Sequence, residues 1–109
     1  MVRNTQFSSE KKFWCKVFEF KDDKLVAICD KEILGKKLNF KGVKVEIRER
    51  FYKGELVNEE KALDIMKKST IGNFFGEKIV DVALKNGFIT KENIIFIEGI
   101  PHAQFVKIL

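Results

Sequence analysis

The chain of 109 residues has one proline, one histidine, one tryptophan, one tyrosine and two cysteines. It has no stretch near the ~18 uncharged apolar residues that a membrane-spanning helix needs, so such a helix is excluded and no membrane role is expected. Cys15 and Cys29 stand alone, with no Cys-x-x-Cys pair. Small secreted domains rely on several bridges, so two reduced, buried thiols are expected; a disulfide between adjacent strands is the other reading. Structural zinc takes four ligands, commonly as closely spaced pairs, so neither a metal nor a cofactor is expected here. A phosphate loop ending in Gly-Lys-Ser/Thr, the Rossmann glycine spacing and a nucleophile elbow are all missing. Repeats and low-complexity stretches are missing too. Residues 1–12 hold no apolar signal core, which points to a flexible tail on a cytoplasmic protein.

What is present is charge and phenylalanine. There are 21 basic against 16 acidic residues, a formal charge of +5, and 11 Phe. That apolar content rules out a wholly disordered chain, and the length fits one domain, here residues 13–109. Residues 13–20 are β-branched and aromatic, with Cys15 and Val17 facing one way and Lys16 and Phe18 the other. Asp22-Asp23 predicts a hairpin turn into 25–29, where five consecutive apolar residues predict a central strand buried on both faces. Asp30 is positioned to cap a short helical turn over 31–34, stopped by Gly35.

Alternation of Val43, Val45, Ile47 and Phe51 with Lys44, Glu46, Arg48, Arg50 and Tyr52 predicts a strand with one buried and one basic face, ending at Gly54. Asn58, Glu59 and Glu60 open a helix that Lys67-Lys68 close, with Ala62, Leu63, Ile65 and Met66 inward. Ser69 or Thr70 then caps a second helix reaching about Asn86, with Gly87 beyond it and a core face of Ile71, Phe74, Phe75, Ile79, Val82 and Ala83. Strands at 94–97 and 104–108 flank a turn at Gly99 and Pro101. The expected fold is α+β: one small domain whose mostly antiparallel mixed sheet packs against two helices.

Three features invite a functional reading. The stretch 36–53 carries seven basic residues and two acidic ones, whereas 57–109 is balanced. Lys44, Arg48, Arg50 and Lys53 would attract phosphates and Tyr52 would stack on a base, an ordinary solvated face being the alternative. The Gly99-Ile100-Pro101-His102-Ala103-Gln104 segment presents the only imidazole in a turn, suited to proton transfer or simply bonded to backbone. Gly72 and Gly76, four apart in a helix, would make a groove beside Asn73, Glu77 and Asp81, for a ligand or for a closely packed element. Asp30, at a strand end, reads as a catalytic group or as a cap.

Taken in order, four motifs (26–35, then Phe51-Tyr52-Lys53-Gly54-Glu55, then Gly72-Asn73-Phe74-Phe75-Gly76-Glu77, then Pro101-His102-Ala103-Gln104) resemble an archaeal family of conserved small proteins, domain of unknown function 424. The resemblance spans roughly 14–106. It implies an α+β cytoplasmic protein associated with informational machinery. It also marks Asp30, Tyr52, Glu55, Asn73, Glu77, His102 and Gln104 as the polar members of the motifs. The leading expectation is therefore a non-catalytic module that binds RNA or a ribosomal particle and is linked to translation. The alternative is a small enzyme or ligand-binding protein with His102, Gln104, Asn73 and Glu77 at the mouth of the glycine groove.

Overall fold

Alternating and continuous apolar runs build the sheet seen in a computed structural model of the protein, which describes residues 9–108. The tail expected over 1–12 lies largely outside them. Of its described part, Lys12 is already held by backbone bonds to Val57 and Lys31. Strand β1 (Phe13–Glu19) turns at Asp22-Asp23 into β2 (Lys24–Asp30), as the aspartates predict. A short 3-10 turn (Lys31–Ile33) leads to a separate hairpin of β3 (Lys37–Phe40) and β4 (Val43–Glu46). One turn of helix follows, α1 (Glu49–Tyr52), then β5 (Glu55–Val57) and α2 (Glu59–Lys67). The remainder is β6 (Ile71–Phe75), α3 (Glu77–Lys85), a 3-10 turn (Lys91–Asn93), β7 (Ile95–Ile97) and β8 (Ile100–Val106).

The main sheet has six strands in the order β5-β1-β2-β6-β8-β7. Only β2 and β6 run parallel; the other pairs are antiparallel. This is the expected α+β fold with a mixed, mostly antiparallel sheet. Strand β2 is central, and Val26, Ala27, Ile28 and Cys29 are fully buried, as their unbroken apolarity requires.

The two faces carry different cores. On one, α2 and α3 cover Phe13, Cys15, Val26, Ile28, Phe74, Ala103 and Phe105. On the other, the β3–β4 hairpin and α1, through its Tyr52, cover Ala27, Cys29 and Phe75, and leave part of the sheet uncovered. Cys15 and Cys29 therefore belong to opposite faces, and both are free thiols. The disulfide reading fails on that geometry. Burial pushes both thiols up to about 12, so neither is a ready nucleophile. No helix among the described residues is long and apolar enough to cross a membrane.

Three expected elements take another form. The strand read over 43–53 ends at Glu46, and the chain coils once through Glu49–Tyr52. Ile47 and Phe51 are four residues apart, so the same apolar positions suit a helical turn that drops Phe51 and Tyr52 onto the sheet. The helix read over 69–86 is two elements. Residues 71–75 form a five-residue strand paired on both sides, and only 77–85 is helical. A short apolar run with two glycines fits either period, and its place between β2 and β8 decides for the strand.

Gly76 makes the break at φ +124°, a conformation open chiefly to glycine. A Cβ on Gly72 would enter the rings of Phe105 and Phe74, and one on Gly76 would enter the Asp30 carboxylate. Both glycines therefore serve close packing, and the helical groove does not exist. The Pro-His segment, finally, is strand. The turn lies earlier, at Glu98 (φ 50°) and Gly99 (φ 80°), a two-residue hairpin loop with both φ positive.

Candidate nucleic-acid interface

Alternation along three strands sends one set of side chains to the half-covered face. From β1 these are Trp14, Lys16 and Phe18; from β6, Asn73 and Phe75; from β8, His102 and Gln104. In register, Asn73 lies opposite Gln104, and Phe75 opposite His102. Helix α1 stands over this face and contributes Arg50, Phe51 and Tyr52, while β4 and the linker after it bring Val45, Glu46 and Arg48.

A cavity of about 380 Å³ opens between them. Its walls are aromatic. Phe18 and Phe51 stack with ring centroids 5.4 Å apart and planes 23° apart. Phe51 meets Tyr52 edge-on at 4.9 Å, and Phe75 meets His102 at 4.8 Å and 62°. The Tyr52 hydroxyl donates to Asn73 Oδ1 at 2.6 Å, which fixes the asparagine amide. Burial holds the Tyr52 phenol well above its ordinary value, so it remains a protonated donor. Burial also lowers the His102 pKa, which keeps the imidazole uncharged at neutral pH. Among the described residues neither the His102 ring nitrogens nor Asn73 Nδ2 has a hydrogen-bond partner.

The rim is basic. Arg48 and Arg50 are exposed, Arg48 with a long 3.8 Å pair to Glu46 and Arg50 with no ion pair among the described residues. Lys16 donates to the Arg50 carbonyl at 2.8 Å and sits 5.3 Å from the Phe18 ring centroid. The row continues along β1 to Trp14, whose ring carries the Lys53 ammonium at 5.5 Å.

The sequence candidates thus regroup. Arg48, Arg50, Tyr52, Asn73 and His102, drawn from two separate readings, share one cavity. Tyr52 is a buried wall and not an exposed stacking ring on a basic strand, because the strand it was assigned to is a helical turn. Lys44 lies outside the cavity, in a neighbouring recess with Lys37 and Arg48. Gln104 is exposed beside Asn73 without lining the cavity.

Asp30 and Glu77 line a different recess, at the end of β2. There Asp30 caps a helix, but not the one beside it. Its carboxylate oxygens accept from the backbone N–H groups of Lys78 and Ile79, each at 2.9 Å, at the start of α3. Burial raises its pKa, with those two bonds opposing the rise. Lys16, Phe18, Phe51 and Phe75 escaped the sequence reading of the site. The alternation that puts Lys16 and Phe18 on one face was the available signal.

The fold and this site define a class: a small α+β domain whose mixed sheet is sealed by helices on one side and bears an aromatic, arginine-rimmed cavity on the other. The chain belongs to the family described as "Protein of unknown function (DUF424)", whose model matches residues 18–108. No curated protein matches it. A crystal structure of an uncharacterized conserved protein from Methanopyrus kandleri is similar at a TM-score of 0.76 and 24% identity, covering 86% of this chain and 90% of that one. That likeness shows a shared fold.

Proposed function

We propose that the protein is a non-catalytic RNA-binding module that lays a single-stranded segment across the open face of its sheet. The observation that carries this reading is the placement of Arg48 and Arg50 at the rim of an aromatic cavity. Guanidinium groups bind phosphate oxygens bidentately and release counterions from the strand, while aromatic rings on a sheet stack unpaired bases. Lys16 and Lys53, each held over a ring of the same face, extend the basic track. A cytoplasmic setting, where RNA is met and buried thiols stay reduced, goes with this reading, as does a ribosomal particle as the source of the RNA.

The test is binding of labelled single-stranded RNA by fluorescence anisotropy across salt concentrations. Affinity is expected to fall steeply between about 50 and 200 mM salt, with a log–log slope that flattens in the Arg48→Glu/Arg50→Glu variant. Unchanged affinity in that variant would overturn the proposal. A second reading, a small enzyme with His102 as base, has in its favour that Asn73 and His102 share the cavity. Against it, Glu77, the carboxylate expected to join them, lines the other recess.

A further inference from the structure

We infer that the cavity is a pocket for one unpaired nucleobase, whose own phosphate sits at Arg48 and Arg50. This deepens the RNA-binding reading and rests on it. At about 380 Å³ the cavity lies near the lower end of ligand pockets, roughly 300–1,000 Å³, which suits one planar group and not a run of them.

The walls suit a planar group in particular. The stacked Phe18–Phe51 pair offers aromatic surface, and the Phe75–His102 pair closes a corner at 62° to one another. A flat ring entering that corner meets a ring face on one side and ring edges on another, the two favoured aromatic geometries.

The polar groups then supply an edge for a base to read. Asn73 Oδ1 is occupied by the Tyr52 hydroxyl, so the amide offers its Nδ2 hydrogens. His102 is uncharged, with one N–H and one lone pair, and neither nitrogen is partnered among the described residues. Donors and an acceptor left open in a half-buried aromatic corner match the hydrogen-bonding edge of a base. The charge complementary to a phosphate lies outside, on the exposed arginines, so the charged part of a nucleotide stays in water while its neutral part enters. Helix α1 and the β3–β4 hairpin stand over the site, so a base still paired in a duplex does not reach it.

The test compares three probes of about ten nucleotides, within the span of a single-domain site. These are single-stranded RNA, an abasic ribose–phosphate strand of equal charge, and a blunt RNA duplex. The full chain is measured by anisotropy at low and physiological salt, and free nucleoside monophosphates are titrated by NMR. His102 is the sole histidine, so its ring C–H resonances identify themselves.

The expected result is that single-stranded RNA binds about tenfold more tightly than the abasic strand or the duplex, and that it shifts the His102 resonances. His102→Gln, checked for an unchanged melting curve, should erase the preference while leaving abasic-strand affinity intact. Equal binding of all three probes would overturn the base pocket and leave the RNA-binding reading standing. Failure of every strand to bind, with nucleoside monophosphates still shifting His102, would overturn the RNA reading and retain the pocket for a free nucleotide. No shift with any probe would overturn the pocket.

Discussion

The two faces of the sheet come from the same strands yet obey different rules. Under α2 and α3 the inward positions are apolar or glycine apart from Asp30, the cap of α3 at the end of β2: Phe13 and Cys15, Val26 and Ile28, Gly72 and Phe74, Ala103 and Phe105. On the opposite face β2 stays apolar with Ala27 and Cys29, but β1, β6 and β8 carry Trp14, Lys16, Phe18, Asn73, His102 and Gln104. The first face is filled to the point that a single methyl group on Gly72 would collide with two rings. The second keeps a cavity and unpartnered hydrogen-bonding groups. Interiors are close-packed wherever packing is what holds the fold, so open polar space against a sheet is the informative deviation.

Substitutions should separate the faces. Phe74→Ala, at a fully buried site under the helices, is expected to cost about 3–5 kcal/mol in urea unfolding. RNA affinity of the molecules that remain folded should be unchanged; a small cost would mean the helix face is not the stabilising one. Asp30→Ala removes both side-chain acceptors at the start of α3 and is expected to cost about 2–3 kcal/mol, read in the same way.

On the open face the pattern inverts. Arg48→Glu with Arg50→Glu should leave stability within about 0.5 kcal/mol, because both side chains are exposed, while RNA affinity drops by about tenfold or more. A large loss of stability in that variant would break the distinction between the faces.

The smallest effect is a pH dependence of stability. His102 has a lowered pKa in the folded state, so it binds protons less readily there than when unfolded. Its contribution is full above the ordinary value near 6.5 and is lost as pH falls below it. Wild type should therefore lose stability relative to His102→Gln on acidification through that range, measured by urea unfolding at several pH values. Asp30 has the opposite sign. Its raised pKa means that its contribution is present at low pH and lost as pH rises through the folded value.

The strands at 13–20 and 25–29, helix α2 and its Asn58 cap were legible because each signal was local: alternation, an unbroken apolar run, a capping side chain three residues from its donor. What was not legible depended on partners distant in sequence. Residues 71–75 satisfy a helical period and a strand equally, and the choice is made by β2 and β8 on either side. Asp30 looks like a cap for the turn beside it, but its donors lie 48 and 49 residues away. The site had the same character. Tyr52, Asn73 and His102 were visible as motif members, but that an aromatic ring, an amide and an imidazole share one cavity follows from a register that no local pattern encodes.

The parallel pairing of β2 with β6 also sets an order for assembly. Lys24 joins Thr70 across 46 residues, and Asp30 reaches α3 across still more. The innermost strand thus waits for partners made much later, an arrangement of high contact order that slows folding. During synthesis, at about 5–20 residues per second, the apolar stretch Leu25 to Cys29 emerges several seconds before its second neighbour exists. Through that interval one edge of β2 is an unpaired template for the wrong chain. The nascent protein, more than the finished one, is where this architecture is most exposed to aggregation.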